Sequence, residues 1–247
     1  KVDVVTPNGF EPSFTPATDE EYDIKREAAR KKLVEVASAM SGEEIPENAV
    51  LVGIGGRYEW KNKGIDVFID ALDRLNHSDF KGKSVHAFIM IPSGHNGPDK
   101  QLVAKLAGNE SNYITRTSHN LSNAEYDNVT RRLNDLNLNN AAGDKVKVYF
   151  IPSYLNGNDG IFNMSYYDLL VGLDLTLFPS YYEPWGYTPL ESMAFHVPTI
   201  TTSLSGYGVW CEEQGCTTID KGVAVIYRND SNTDDVIHHI VNTIEYY

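Results

Sequence analysis

The sequence predicts an α/β fold in which helices flank a doubly wound parallel sheet. Short apolar runs alternate along the chain with segments whose apolar residues recur at helical spacing, and this alternation is typical of that fold class. The runs are continuous and rich in β-branched residues, as expected for parallel strands that are buried on both faces. A chain of 247 residues with 41% hydrophobic content can bury a core of this kind.

The pattern predicts six strands and four helices, besides a helix that follows the fourth strand. The predicted strands are Val50–Ile54, Val85–Ile91, Val146–Ile151, Leu173–Phe178, Thr199–Thr202 and Val223–Tyr227. Helical periodicity predicts helices at Glu20–Met40, Ile65–Leu75 and Asp234–Tyr247. Ser122 and Glu125 have the spacing of a capping box, which predicts a further helix that runs towards Leu138.

The chain is interpreted as a single domain over residues 1–247. Residues 93–123 are polar, contain three glycines and are interpreted as an irregular excursion from the sheet rather than as a second domain. The first residue is Lys1 rather than Met, and the last residues before the end at Tyr247 continue a helical pattern. We therefore expect a domain that has been excised from a longer chain.

Composition argues against several classes of function. A formal net charge of −13 would repel the phosphates of nucleic acids and of anionic membranes. The sequence has no run of about 18 apolar residues that could span a membrane. Its two cysteines, Cys211 and Cys216, are too few for a disulfide framework and lack further ligands at zinc-binding spacing. We expect two reduced thiols, no metal ion and a cytoplasmic protein.

The turn after the first predicted strand presents two basic residues. It contains Gly53 and Gly55, but Tyr58 stands where a dinucleotide-binding fingerprint requires its third glycine, so NAD is not expected. Arg57 offers a planar guanidinium and Lys63 a point charge, and the two together suit a diphosphate. The alternative is a solvated basic turn without a ligand.

The turn after the fourth predicted strand leads into a helix. Thr188, Pro189 and Glu191 have the pattern of an N-cap, a proline at the first helical position and a capping-box glutamate. The backbone amides of residues 185–188 would then lie at the positive end of the helix dipole, where phosphate binds readily. Glu183 and Glu191 are candidate site carboxylates, with helix capping or favourable dipole interaction as the ordinary alternatives.

The most informative motif surrounds these two glutamates. Glu183-x7-Glu191 resembles the paired-glutamate motif of retaining GT-B glycosyltransferases. The fuller string resembles the glycogen synthase family of fungi and animals: Phe178-Pro179-Ser180-Tyr181-Tyr182-Glu183-Pro184-Trp185-Gly186-Tyr187-Thr188-Pro189. Further similar segments occur in the same order: Pro7-Asn8-Gly9, Gly56-Arg57-Tyr58-Glu59-Trp60 with Asn62-Lys63-Gly64, Asp144-Lys145-Val146-Lys147-Val148 and Ser203-Leu204-Ser205-Gly206-Tyr207-Gly208. The resemblance implies the Rossmann-like C-terminal domain of a GT-B glycosyltransferase.

The resemblance also implies a role for each candidate residue. Arg57 and Lys63 would hold the diphosphate of a UDP-sugar, and Glu183 would lie beside the glucose that is transferred. Glu191 would bind the ribose hydroxyls. Tyr166 would stack on uracil, with packing of a helix residue in the core as its alternative.

The other substrate-binding candidates belong to the predicted helix start. The backbone amides of Gly186, Tyr187 and Thr188 would reach the distal phosphate or the glucose, and Trp185 adjoins them. Two cations and a helix end can neutralise a diphosphate by preorganised electrostatics. We therefore expect neither a metal ion nor a cofactor.

The resemblance implies that glucose passes from UDP-glucose to the 4-hydroxyl of an α-1,4-glucan with retention of configuration, ADP-glucose being the less favoured donor. The implied partners are the nucleotide sugar, the glucan acceptor and an N-terminal domain outside this chain, so we expect the chain alone to be inactive. Two alternatives stay open. One is another retaining GT-B enzyme that makes sucrose, trehalose or a surface polysaccharide, and the other is a non-catalytic nucleotide-sugar-binding module.

Overall fold

The computed structural model describes residues 6–109 and 111–247, and its centre is a six-stranded parallel sheet. Its strands are β1 (Val50–Gly55), β2 (Val85–Met90), β5 (Val146–Phe150), β6 (Leu175–Leu177), β7 (Thr199–Thr202) and β8 (Val223–Ile226). A separate antiparallel pair consists of β3 (His95–Pro98) and β4 (His119–Leu121). The α-helices are α1 (Asp19–Ser41), α2 (Ile65–Asn76), α3 (Lys100–Leu106), α4 (Asn128–Asp135), α5 (Tyr166–Leu170), α6 (Tyr187–Ala194), α7 (Gly206–Glu213) and α8 (Thr233–Glu245).

The order of the strands reverses once. The sheet runs β5-β2-β1-β6-β7-β8, and every neighbouring pair is parallel. The chain therefore winds outwards from β1 to β5 and then returns to the other side of β1. This confirms the predicted doubly wound α/β fold, in which ligands bind beyond the carboxyl ends of the strands at the point of reversal. Here that point lies between β1 and β6.

Each face of the sheet packs against its own layer of helices. Val52 belongs to a buried cluster with Phe68 of α2 and Ile240 of α8. The next residue towards the amino end, Leu51, belongs to a second cluster with Leu33 of α1. Because alternate side chains enter opposite cores, the strands are buried on both faces and mostly apolar, which explains their long apolar runs; β2, β5, β6 and β7 also contain buried polar residues.

The helix predicted to follow Ser122 begins later, at Asn128. Ala124–Tyr126 forms one turn of 3-10 helix, and the cap of α4 is Asp127, whose Oδ1 accepts a hydrogen bond of 2.8 Å from the Thr130 amide. The Tyr58 hydroxyl donates to the other carboxylate oxygen of Asp127 at 2.7 Å. The capping-box prediction is wrong because the cap is Asp127, which Tyr58 holds in place from 69 positions away in the sequence.

The helix after β6 also begins at a different residue from the one predicted. Gly186 is its N-cap, with φ of 102°, and α6 begins at Tyr187 rather than at Pro189. Glycine adopts this left-handed backbone without steric cost, so the chain turns into the helix earlier than Thr188. Glu191 does not act as the predicted capping-box residue, since its carboxylate accepts a hydrogen bond of 2.9 Å from the Tyr167 hydroxyl.

Residues 93–123 contain regular structure that the sequence pattern did not predict, namely β3, α3 and β4. These elements are short and lie outside the six-stranded sheet. Residues 1–5, on which the expectation of a truncated start rests, and Glu110 within the excursion lie outside the described residues. Across residues 6–109 and 111–247, no helix combines the length and apolar character needed to cross a membrane.

Candidate functional site

A cleft of about 500 Å³ opens at the carboxyl edge of the sheet, where the strand order reverses. Its walls are the segments that follow β1, β2 and β5, together with α5 and the first turns of α6: Gly56, Arg57, Tyr58, Met90, Pro92, Ser153, Tyr154, Leu155, Asn156, Tyr166, Tyr167, Thr188 and Glu191. This volume lies within the range of small-molecule sites. The structure therefore brings four predicted site residues, Arg57, Tyr166, Thr188 and Glu191, into one cleft.

Lys63 and Glu183 meet beside this cleft, outside its lining. The Lys63 ammonium forms an ion pair with Oε2 of Glu183, and each side chain is only 15% exposed. The two residues are 120 positions apart in the sequence. A pair this well covered from water interacts more strongly than a surface ion pair, because solvent screens it less.

Backbone contacts place Glu183 between two other turns. The Tyr181 amide donates to the Asn62 carbonyl at 2.8 Å, which joins the loop before Glu183 to the turn that carries Lys63. The Glu183 amide donates to the Leu204 carbonyl, and the Gly206 amide donates to the Glu183 carbonyl, both at 3.1 Å. The loops after β1, β6 and β7 are thereby linked at the position of this carboxylate.

Arg57 lies at the mouth of the cleft and is the most exposed of the predicted charged residues. Its side chain is 77% exposed, and Nη2 lies 3.1 Å from Oε1 of Glu59. This ion pair is open to solvent and therefore weak. The guanidinium can leave Glu59 for a better-placed anion at little cost in free energy.

Glu191 is held in place by an aromatic neighbour. Burial raises the pKa of its carboxyl, and the hydrogen bond from the Tyr167 hydroxyl opposes that rise. Tyr167 itself stacks on Phe195, with 5.0 Å between ring centroids and an interplanar angle of 20°. Glu191 therefore presents an acceptor to the cleft from a fixed position.

Tyr166 is packed in the protein and also lines the cleft. Its ring lies against β1, so that a Cβ added to Gly55 would come within 2.8 Å of the ring. Its hydroxyl is buried without a hydrogen-bond partner among the described residues, and burial raises its pKa. Tyr166 is thus packed against the core, as one interpretation expects, and also lines the cleft where the other interpretation places a base.

Sequence reasoning missed Tyr154, an exposed aromatic residue in the lining of the same cleft. It follows β5 by four residues and stands in Ser153-Tyr154-Leu155-Asn156. Its position beyond the carboxyl end of a predicted strand was the available signal, since ligands bind at that edge.

Trp185, Gly186 and Tyr187 lie outside the lining of the cleft. The Trp185 ring packs edge-on against Tyr207, with 5.9 Å between centroids, and its Nε1 is buried without a partner in residues 6–109 and 111–247. Tyr187 is exposed and Gly186 is buried. The backbone of these residues forms the start of α6, and their contribution to substrate binding stays a prediction.

The described part of the chain contains no group of three or more His, Cys, Asp or Glu placed to hold a metal ion. Cys211 is buried and Cys216 is half-buried, and both are free thiols. Burial raises the pKa of the Cys211 thiol to about 11. This thiol is therefore protonated and unreactive at neutral pH.

A doubly wound sheet with a ligand-sized cleft at its point of reversal defines the class of α/β ligand-binding domains. Comparison with known sequences narrows this class. A profile of the glycogen synthase family matches residues 1–106 and 100–247. The chain belongs to that family.

Curated relatives agree with the family match. The glycogen (starch) synthase of Neurospora crassa is 27% identical over 97% of this chain and 42% of its own length. Isoform 1 from Saccharomyces cerevisiae is 28% identical over 81% of this chain and 37% of its length, and the liver enzyme of Mus musculus is 27% identical over 95% and 41%. The chain thus spans about two fifths of the length of these relatives. The structure of WaaG, a glycosyltransferase involved in lipopolysaccharide biosynthesis, matches 86% of this chain and 42% of its own at 17% identity, with a TM-score of 0.44.

Proposed function

We propose that the chain is the donor-binding, C-terminal domain of a retaining GT-B glucosyltransferase that extends an α-1,4-glucan from UDP-glucose. Membership of the glycogen synthase family supports the reaction. In this proposal an N-terminal domain, outside this chain, closes over the carboxyl edge of the sheet and completes the active site. The net charge of −13 argues against a nucleic-acid or anionic-membrane partner, and the two free thiols support a cytoplasmic location.

One observation carries the proposal: the Lys63–Glu183 ion pair lies beside the cleft that contains Arg57 and Glu191. A nucleotide sugar is linear, with base, ribose, diphosphate and glucose in that order. The cleft offers Tyr166 to the base and Glu191 to the ribose, and Arg57 stands at its mouth. Lys63, in the same turn as Arg57, would bind the diphosphate, and Glu183, its ion-pair partner, would lie beside the glucose.

The mechanism follows from where charge develops. Cleavage of the bond between glucose and diphosphate places negative charge on the departing UDP and positive charge on the sugar ring. Arg57, Lys63 and the amides at the start of α6 stabilise the first charge, because they are oriented before the reaction begins. The Glu183 carboxylate stabilises the second from beside the ring. When the diphosphate binds, the Lys63 ammonium either exchanges its ion pair with Glu183 for one with the diphosphate or bridges the two.

The proposal is tested by titrating the purified chain with UDP, ADP and NAD in a calorimeter. We expect UDP to bind and ADP and NAD to bind more weakly. An Arg57→Ala, Lys63→Ala variant should bind UDP at least about 100-fold more weakly, because each lost charge-assisted hydrogen bond is worth about 1.5–3 kcal/mol. The matched control is Lys25→Ala, Arg74→Ala, which removes one lysine and one arginine from distant surface ion pairs.

The outcomes separate clearly. UDP binding that survives in the control and is lost in the site variant supports the donor site. Equal UDP affinity of both variants contradicts the roles of Arg57 and Lys63. Tighter binding of ADP or NAD contradicts UDP-glucose as the donor, and no binding of any of the three contradicts a donor site formed by this chain alone.

A further inference from the structure

A second groove, of about 750 Å³, lies at the carboxyl edge of the sheet on its β7–β8 side. The loops after β6, β7 and β8 form its walls. Three tyrosines line it with much of their surface open to solvent: Tyr181 is 42% exposed, Tyr182 59% and Tyr227 69%. None of these residues has a part in the proposed donor site.

We propose that this groove binds an α-glucan chain, the glucose residues of which stack on the exposed tyrosines next to Glu183. A glucose ring has an apolar face of C–H groups and a rim of hydroxyls. A tyrosine ring offers an apolar surface for that face and a polar hydroxyl at its edge. Asn229 and Ser231 line the same groove and supply amide and hydroxyl groups for the sugar rim.

One of the three tyrosines, Tyr181, is held in place by its neighbours. The Tyr181 hydroxyl donates a hydrogen bond to Oδ1 of Asp230, and the Arg228 guanidinium lies 5.5 Å from the centre of the Tyr181 ring. Arg228 is only 5% exposed and donates from Nη1 to the Pro179 carbonyl. Because the Tyr181 ring is held before a ligand arrives, stacking on this ring costs little conformational entropy.

The charges of the groove favour a neutral ligand over a phosphorylated one. Its charged lining residues are Arg228, Asp230 and Glu212, so that two carboxylates face one guanidinium. A phosphate would meet net repulsion there, in contrast to the mouth of the donor cleft with Arg57. The hydroxyls of a neutral sugar chain can donate hydrogen bonds to the carboxylates.

The groove adjoins the carboxylate proposed to act on the donor sugar. Tyr182 immediately precedes Glu183, and the lining residue Leu204 accepts the hydrogen bond from the Glu183 amide. A glucan in the groove would therefore run towards the transferred glucose. The α-linkage of the glucan rests on the proposed function, whereas the neutral sugar chain follows from the groove itself.

The test is a titration of the isotope-labelled chain with maltohexaose, followed by nuclear magnetic resonance. We expect the amide signals of residues 203–204 and 227–231 to shift. Tyr182→Ala and Tyr227→Ala should each weaken maltohexaose about tenfold, as loss of an aromatic anchor does at interfaces, and should leave UDP affinity unchanged. Tyr246→Ala is the matched control, because it removes another exposed tyrosine at the end of α8. Tyr227→Phe, which keeps the ring, should retain most of the affinity.

Parallel titrations with UDP and inorganic phosphate distinguish the failures. Maltohexaose that leaves the groove signals unmoved, or that binds the Tyr182→Ala and Tyr246→Ala variants equally, overturns the proposal even if UDP binds. Phosphate that shifts these amides in place of maltohexaose also overturns it. Groove shifts with maltohexaose in a chain that fails to bind UDP support the groove and count against the donor site.

Discussion

Gly64 lies where the turn with Lys63 packs against the loop that leads to Glu183. It has φ of 68° and caps α2 directly after Lys63. A Cβ added at this position would lie 2.0 Å from the Pro179 carbonyl oxygen, in the loop that leads to Glu183. The turn with Lys63 can pack against this loop only because the residue between them has no side chain.

We predict that Gly64→Ala lowers the free energy of unfolding by at least about 2 kcal/mol. A left-handed non-glycine residue costs about 1–3 kcal/mol, and the contact with Pro179 adds the cost of an overpacked site. The measurement is urea denaturation. Gly143→Ala is the matched control, because Gly143 has φ of 90° and open space around its Cβ position, so it should lose only about 1 kcal/mol. Equal losses in the two variants would contradict the close packing at Pro179.

Residue type and spacing identified Arg57 and Lys63 as candidates for a diphosphate, and the resemblance to the glycogen synthase family assigned Glu183 a place beside the glucose. These roles stay predictions. The sequence could not predict that Lys63 pairs with Glu183, since that contact depends on how two loops fold together. For the same reason it could not predict that the Trp185 ring turns towards Tyr207.

At the scale of elements, α1 is tied to the amino edge of the sheet by one carboxylate. Asp174, directly before β6, accepts hydrogen bonds from Arg26 at 2.7 Å, Arg30 at 2.9 Å and the Leu51 amide at 2.8 Å. Its side chain is 19% exposed. The two arginines also donate to backbone carbonyls, among them those of Leu173 and Ala49. The cluster fixes a helix and two strands at a single position.

We predict that Asp174→Ala lowers the free energy of unfolding by about 3 kcal/mol, because it leaves two guanidinium groups and one amide without their shared acceptor. Asp234→Ala removes the partner of Arg74 in an ion pair whose carboxylate is 81% exposed, and it should cost at most about 1 kcal/mol. Urea denaturation of both variants measures the difference. A loss for Asp174→Ala no larger than that of the control would show that the cluster adds nothing beyond a surface ion pair.

The elements that the sequence predicted well are those that are buried on both faces. The strands are covered on both faces, so they appear as continuous apolar runs, and β7 has the predicted bounds. The starts of α4 and α6 were predicted poorly. The cap of α4 is held in place by a distant residue, Tyr58, and the cap of α6 is a glycine with a left-handed backbone. The pair of β3 and β4 was missed because its strands are too short and too polar to show a period.

Across the whole molecule, the two edges of the sheet differ: cavities open at the carboxyl edge, and buried polar contacts lie at the amino edge. The carboxyl edge has the cleft with Arg57 and Glu191 and the tyrosine-lined groove. The amino edge has the Asp174 cluster and a buried histidine, His86, near the start of β2. Substitutions at the amino edge should therefore change stability and leave ligand affinity intact, since the sheet itself separates them from the ligand sites.

His86 makes the stability of the molecule depend on pH. It is 4% exposed, and its Nδ1 lies 2.9 Å from the Tyr149 hydroxyl. Burial lowers its pKa to about 4, with a smaller contribution from the positive charges of Lys147 and Arg30. In the unfolded chain a histidine titrates near 6.5. Between these two values the unfolded state binds more protons than the folded state, so stability falls as the pH is lowered through this window.

We predict that His86 alone removes up to about 3 kcal/mol of the free energy of unfolding between pH 6.5 and pH 4. Urea denaturation of the wild type and of His86→Gln across this range isolates the effect, because the carboxylates titrate in both proteins and cancel in the difference. Above pH 6.5 the difference should be constant, and below it the wild type should lose stability faster than the variant. His238→Gln, at an exposed position on α8, should run parallel to the wild type throughout. If His86→Gln does the same, the folded protein accommodates a charged imidazolium at this position, and burial of His86 is not a source of acid sensitivity.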